Sequence, residues 1–152
     1  MKTLTPILVI VAALVLCGCY APVGAEMAAG GERSAIVLPV LADMIVGADK
    51  SGGLVRFVDL RPPEIDRLRE LCGPRFQIRS VDESESSAGV LRLKGGNQVG
   101  VHITVEVTRI GGGEAQARGT YLHVGSFAFL GYKLRFTEGA WHIVSHEFIG
   151  AS

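Results

Sequence analysis

The stretch VGVHITVEVT, residues 99–108, decides the fold of this chain. Apolar side chains occupy every second position in it: Val99, Val101, Ile103, Val105 and Val107. Small or polar residues fill the positions between them. Strict alternation is typical of a β-strand that buries one face and leaves the other in water. We therefore expect a strand of an antiparallel sheet, because such sheets commonly have one solvated face.

The residues directly after this strand predict a hairpin. Three consecutive glycines, residues 111–113, provide the turn. If Ile110 pairs with Glu114 across that turn, Glu106 lies opposite Arg118 on the next strand. Opposite charges are favourable cross-strand neighbours, so the charge pattern supports this register.

A second hairpin ends the sequence. Its turn is Glu138–Gly139, which pairs Phe136 with Trp141. Strand alternation then divides the side chains between two faces. The face expected in the core carries Tyr132, Leu134, Phe136, Trp141 and Ile143. The opposite face is the candidate binding face, and it carries Lys133, Arg135, His142 and His146, with Val144 and Phe148 beside them.

Two helices are predicted before these strands. Residues 34–45 repeat apolar side chains at spacings of three and four, with Ser34 placed to cap the start. Pro39 is the weak point of this helix, and a strand is the alternative for part of the run. Residues 62–72 form a second helix, opened by two prolines and stopped by a glycine. We predict a strand for residues 54–60, which lie between the two helices.

The element order is helix, strand, helix and then a run of strands. This order predicts an α+β fold in which two helices pack on an antiparallel β-meander. A curved sheet like those of the cystatin or nuclear-transport-factor superfamilies is an analogy of element order. We expect residues 82–87, which are acidic and serine-rich, to form a solvated loop.

The chain is predicted to divide into three parts: a signal peptide (residues 1–18), a flexible tether (residues 19–33) and a single domain (residues 34–152).

The N-terminus has the pattern of an export signal. Lys2 supplies positive charge, and residues 7–16 form an unbroken apolar run of ten residues. Ten residues are too few to span a bilayer, which needs about 20, but they suit the apolar core of a signal peptide. Leu16-Cys17-Gly18-Cys19 resembles the lipobox of bacterial lipoproteins, although Cys17 is less usual than Ala or Ser at its position. The resemblance implies a lipid on Cys19.

Tyr20 directly follows the lipid site, where an aspartate would favour the inner membrane. By resemblance to lipoprotein sorting in diderm bacteria, this implies an outer membrane lipoprotein facing the periplasm. Cleavage after Ala25 is the alternative, and it would leave a secreted or soluble periplasmic protein. Under the lipoprotein interpretation Cys72 is the single cysteine left in the domain, so no disulfide forms within one chain. We expect Cys72 to be a small buried side chain.

The charge balance argues against nucleic acid as a partner. The chain has 15 basic and 15 acidic residues, whereas nucleic-acid-binding domains usually show a basic patch and a high pI. The expected partners are the membrane, through the lipid anchor, and a protein of the cell envelope.

The C-terminal hairpin carries a family resemblance. The segments GYKL (residues 131–134) and EGAWHIV (residues 138–144) are similar to the ending of a family of small secreted proteins and lipoproteins of unknown function. That ending reads Gly-Tyr-x-Tyr, a turn with glycine, Trp-x-Val-Val and a terminal serine. Leu134 replaces the second tyrosine here, and residues 149–152 also depart from the pattern. The resemblance implies no activity.

The histidines do not form a metal site by spacing. His142 and His146 lie four residues apart, which in a strand separates them by about 13 Å. We therefore predict no metal, no cofactor and no catalytic set. An acid–base pair of either histidine with Asp43, Asp59 or Glu147 stays open, because folding could bring such residues together.

Two classes of function follow from these patterns. The favoured one is a lipid-tethered bacterial envelope protein of non-catalytic type that binds another protein. The alternative is a small-molecule-binding or enzymatic pocket in a curved sheet. A mixed apolar and cationic face suits an acidic partner or an anionic ligand, which arginine can hold through two parallel hydrogen bonds.

Overall fold

The computed structural model describes residues 23–48 and 53–152. Its two helices are α1 (Val23–Ala48) and α2 (Pro62–Cys72). The strands are β1 (Val55–Val58), β2 (Gln77–Ser80), β3 (Ser84–Ser87), β4 (Val90–Leu93), β5 (Val99–Gly111), β6 (Glu114–His123), β7 (Ser126–Thr137) and β8 (Ala140–Ala151). The predicted α+β class is confirmed. Cys19 and the predicted signal peptide lie outside the described residues.

The sheet is mixed. Its main path runs β2-β1-β5-β6-β7-β8, and β3 and β4 form a hairpin joined to β5. Strands β5 to β8 form the predicted antiparallel meander. The parallel pairing of β1 with both β2 and β5 was not predicted. The pairing with β2 follows from α2, because a helix that joins two adjacent strands returns the chain in the same direction. The expected loop at residues 82–87 is also corrected, since Ser84–Ser87 is a strand.

Helix α1 begins earlier than the apolar pattern predicts. It starts at Val23, so residues 23–33, predicted as part of the tether, are helical, and it continues through Pro39. Ser34 is therefore not the N-cap of this helix. Its hydroxyl instead donates a hydrogen bond to the Glu64 carboxylate of α2, at 2.5 Å. The polar residue that we expected to start one helix joins two helices.

Helix α2 has the expected boundaries. It starts at Pro62, and the backbone N–H of Gly73 caps its end with a 2.9 Å bond to the Arg69 carbonyl. Glu64 accepts hydrogen bonds from both the backbone and the guanidinium of Arg61. These bonds and the one from Ser34 hold the pKa of Glu64 at about 2, below its ordinary value of 4.5. The Glu64 carboxylate is thus a charged link between α1 and α2.

Both helices bury apolar side chains against the same core. Helix α1 contributes Ile36, Val40, Leu41, Met44 and Ile45, and α2 contributes Ile65, Leu68 and Cys72. The sheet contributes Ile103, Ala115, Ala117, Tyr132, Leu134 and Trp141 among others. The burial predicted for Cys72 and Trp141 is confirmed, with exposed fractions of 9% and 8%. The core position predicted for Phe136 is wrong, because its side chain is 48% exposed; its ring centroid lies 5.4 Å from that of Trp141 at the edge of the core.

In both hairpins the register agrees with the prediction on one side of a β-bulge and is shifted on the other side. Glu106 pairs with Arg118 as predicted, but a bulge between Val107 and Arg109 moves Glu114 opposite Gly111. In the last hairpin Phe136 pairs with Trp141 and Leu134 with Ile143, as predicted. A bulge at Val144 then changes every later pair. Lys133 faces Ser145 and Tyr132 faces His146, one position beyond the prediction.

Gly100 lets the sheet pack tightly around β1. A Cβ atom on it would clash with the ring of Phe57 and lie 2.7 Å from the Val55 carbonyl oxygen. Val55 and Phe57 are fully buried. Val55 pairs with Gly100 of β5, and Phe57 pairs with His102 of the same strand. Phe57 therefore fills the space that a side chain at position 100 would need.

Candidate functional site

The candidate binding face lies on the side of the meander that the two helices do not contact. We call this side of β5 to β8 the outer face. Cross-strand pairs place Lys133, Arg135 and His142 on it, and all three are exposed. Arg135 pairs directly with His142, as the sequence predicts.

His146 is not on the outer face, so its assignment to the candidate binding face is wrong. The bulge at Val144 inserts one residue without a partner on β7, and the alternation of faces reverses beyond it. Phe148 moves to the helix side for the same reason, since it pairs with Leu130. The signal for this bulge is Val144, an apolar residue at a position that strict alternation would place in water.

The outer face contains two adjoining depressions that share Gln116 and Lys133. The larger has a volume of about 390 Å³, and the smaller about 180 Å³. Polar residues of the larger depression include Arg118, Ser145 and Glu147. The smaller includes Arg109, Glu114, Arg135 and Val144. Residues of β5 to β8 line both depressions.

Charges on the outer face are partly paired. The Arg135 guanidinium lies 3.2 Å from the Glu114 carboxylate, and both side chains are more than half exposed. Lys133 differs, because its two cross-strand neighbours are the uncharged Gln116 and Ser145. The boundary between the two depressions thus carries a positive charge flanked by hydrogen-bonding neutral groups.

The other end of the outer face is apolar. The rings of Phe127 and Phe129 stack with their centroids 6.3 Å apart, and Phe127 is 40% exposed. Ile149, at a second bulge of β8, covers Gly131 with its side chain, 3.2 Å from where a Cβ would be. Aromatic and aliphatic groups at one end and cations at the other give this face a mixed character.

His146 belongs to a polar cluster on the helix side of the sheet. Its Nδ1 lies 3.2 Å from Oδ2 of Asp43 in α1. The Tyr132 hydroxyl donates to the same oxygen at 3.1 Å. Burial and the nearby Asp43 raise the pKa of Tyr132 far above its ordinary value, so the phenol remains a donor. Of the open pairings in the sequence, the structure brings Asp43 and His146 together.

This cluster fixes the orientation of His146. With Nδ1 directed at Asp43, the other ring nitrogen points away from that carboxylate, and the side chain is 52% exposed. Such an arrangement lets an imidazole accept a proton from a substrate or hold a fixed position at a helix–sheet contact. The hydroxyl of Tyr132 was missed in the sequence, because its expected role was packing alone.

His102 has a different environment. Its Nε2 is buried and has no hydrogen-bond partner among the described residues. Burial lowers the pKa of His102 below 6.5, and the negative charge of Asp59 opposes that effect. The imidazole is therefore neutral at neutral pH and acts as a packing group beside Phe57.

Neither a metal site nor a membrane span is found in the part of the chain that the structure describes. No group of three or more histidine, cysteine or acidic side chains there is arranged to hold a metal ion. Across the same residues, neither helix combines the length and apolar character needed to cross a bilayer.

Comparisons with protein-family models, curated proteins and solved structures gave no match.

Proposed function

We propose that this protein is a lipid-tethered component of the bacterial envelope and that its domain is a non-catalytic protein-binding module. Its partner offers an acidic segment with apolar residues to the outer face. The lipid on Cys19 holds the domain at the membrane. The lipobox resemblance supports the tether, and the exposed outer face supports the binding role.

One observation carries the binding role. Lys133 separates two depressions on an exposed sheet face, and its direct cross-strand neighbours, Gln116 and Ser145, carry no charge. Arg135 adds a planar guanidinium that can hold a carboxylate through two parallel hydrogen bonds. Phe127 and Phe129 provide apolar contact area at the other end of the same face. Aromatic residues and arginine are enriched at protein interfaces, whereas lysine is depleted, so we assign the direct contacts to Arg135 and the two phenylalanine rings and the attraction of an acidic segment to Lys133.

Recovery of envelope partners tests this proposal. The double variant Arg135→Ala with His142→Ala should lose partners that the wild-type protein retains after cross-linking in intact cells. Arg67→Ala with His123→Ala is the matched control, because it removes the same residue types from other exposed positions. Equal recovery by the wild type and the folded double variant would exclude the outer face as the binding surface.

The tether needs a separate test. Cys19→Ser should move the protein from the detergent-rich phase to the aqueous phase, because the lipid supplies the membrane affinity. Cys72→Ser is the control, since it changes a buried thiol in the domain. A wild-type protein that is cleaved after Ala25 and enters the aqueous phase would contradict the lipid anchor and leave the binding role unaffected.

An acid–base enzyme is the second candidate, and the contact between Asp43 and His146 favours it. A carboxylate at Nδ1 of a half-exposed imidazole can support proton transfer by that ring. Hydrolysis of a panel of p-nitrophenyl esters by the wild type, lost in His146→Gln and retained in His142→Gln, would establish it. Equal background rates for all three proteins would reject it.

A further inference from the structure

Strand β5 leaves part of one edge open. On one side it pairs with β6 from His102 to Gly111. On the other side its pairing with β1 ends where Val58 meets Ile103. Among the described residues, β5 therefore has no strand next to residues 104–111 on the β1 side. Backbone N–H and C=O groups along such an edge are available to another strand.

The open edge adjoins a groove of about 300 Å³. The apolar side chains that line it are Val37 and Leu41 of α1, Leu60 after β1, and Ile103 and Val105 of β5. Arg33 and Asp59 also line the groove, and both are exposed. The groove thus offers one apolar subsite and two charges of opposite sign beside a line of backbone groups.

The path of the chain explains why this space exists. After Val58 the backbone leaves the sheet, and Pro62 begins α2. Strand β5 continues to Gly111 after its neighbour has left the sheet. The position of a longer β1 is thus vacated, and α1 lies over it. An added strand would continue the β1 position beyond Asp59.

We propose that an extended peptide segment of a partner protein adds as a strand to β5 beside residues 104–107. One apolar side chain of the segment enters the groove between Val37 and Leu60. Flanking side chains of opposite sign meet Arg33 and Asp59. In recognition of this kind the main chain supplies affinity and alternate side chains supply specificity.

The other sheet edges are less suited to strand addition. β8 is interrupted by bulges at Val144 and Ile149, and bulges protect an edge by twisting it. β2 has four residues. The segment of β5 from Thr104 to Val107 precedes its own bulge and keeps regular pairing with β6. The site is separate from the outer face, so its test is independent of the proposed function.

Synthetic peptides test the proposal on the complete folded domain. The probes are capped nonapeptides in which threonine alternates with Val, Leu or Phe, with Lys and Glu at the two ends. We expect at least one to bind and to slow hydrogen exchange of amides within residues 104–107. A matched peptide with alternate N-methyl groups keeps the side chains and removes strand hydrogen bonds. Its binding should be about tenfold weaker or worse, as expected for loss of two hydrogen bonds.

A charge-reversal pair identifies the groove. Asp59→Lys should weaken peptide binding several-fold, because the Lys end of the peptide then meets a like charge. Glu85→Lys, a charge change on exposed β3, should leave binding unchanged. Absence of binding by every probe would overturn the proposal. Equal binding of the N-methylated peptide, protection confined to β7 or β8, or equal effects of the two variants would also overturn it.

Discussion

At the scale of single residues, Gly100 has the most restrictive surroundings. A methyl group there would clash with Phe57 and with the Val55 carbonyl, and a backbone atom cannot rotate away. We expect Gly100→Ala to lower the free energy of unfolding by about 1–3 kcal/mol, the usual cost of overpacking. Gly150→Ala is the control, because its Cβ would meet no atom within 4 Å. Equal urea midpoints for the two variants would contradict this contact.

The buried imidazole of His102 predicts a pH dependence of stability. Its pKa in the folded protein lies below the ordinary value of 6.5, so the unfolded chain binds the proton more strongly. Protonation of His102 therefore does not lower the free energy of unfolding above pH 6.5, and it lowers this free energy increasingly as the pH falls below 6.5.

The variant His102→Leu should remove this part of the pH dependence and keep or raise stability at pH 7.5, because it replaces a buried nitrogen that has no hydrogen-bond partner among the described residues. His123→Leu, at an exposed position, is the control and should keep the wild-type slope. Urea unfolding at pH 5.5 and 7.5 measures both. An unchanged slope in His102→Leu would show that another group causes it.

At the scale of elements, the contact between Ser34 and Glu64 couples the two helices. We expect a double-mutant cycle of Ser34→Ala and Glu64→Gln to give a coupling of about 1.5–3 kcal/mol, as for a hydrogen bond to a charged group. Because the pKa of Glu64 is about 2, its contribution is present above pH 4.5 and is lost as the pH falls towards 2.

The exposed pair of Asp66 and Arg69 on α2 is the control for this cycle. Asp66→Asn should change stability by less than about 1 kcal/mol, since exposed ion pairs contribute little. Additive effects of Ser34→Ala and Glu64→Gln would mean that the helices are held together by apolar packing alone.

The bulge in β8 makes a prediction of its own. Val144 is the extra residue between the pairs Leu134–Ile143 and Lys133–Ser145. Deleting it should join two regular stretches and keep His146 beside Asp43, as measured by the NMR contact between His146 and Tyr132. In a regular strand the same deletion would move His146 to the opposite face, and loss of that contact would contradict the bulge.

Much of the fold could be predicted because alternation and turn residues are local signals. The last hairpin and the span of α2 follow from residues such as Trp141, Gly139 and Pro62. Alternation alone did not locate the bulges, since one inserted residue leaves the pattern on either side intact. The signal in the sequence was an apolar residue out of phase with the alternation, Val144. The parallel pairing of β1 also escaped prediction, because parallel partners are distant in sequence.

The candidate site was predicted in part for the same reason. Lys133, Arg135 and His142 lie before the bulge at Val144, so the alternation of side chains between the two faces predicted their side of the sheet correctly. His146 lies after it and joins Asp43, a residue about 100 positions earlier, at a contact that only tertiary packing creates. Ser34 shows the same limit. The sequence pattern predicted that it caps a helix, whereas its side chain forms a hydrogen bond between the two helices.

At the scale of the whole molecule, the two faces of the meander differ in role. One face packs on α1 and contains most of the apolar core. The other presents paired and unpaired charges beside exposed aromatic rings. A monomeric domain needs the first face for stability, whereas the second has side chains that suit recognition of an acidic partner.

Titration of the ¹⁵N-labelled domain with a capped peptide of alternating Glu and Leu tests the central claim most directly. The account predicts amide shifts concentrated at Lys133, Arg135 and His142, reduced by 0.5 M salt because screening weakens exposed charge interactions. The double variant Arg135→Ala with His142→Ala should bind more weakly. The absence of shifts, or shifts confined to α2 and the β3–β4 hairpin, would contradict the outer face as the binding surface.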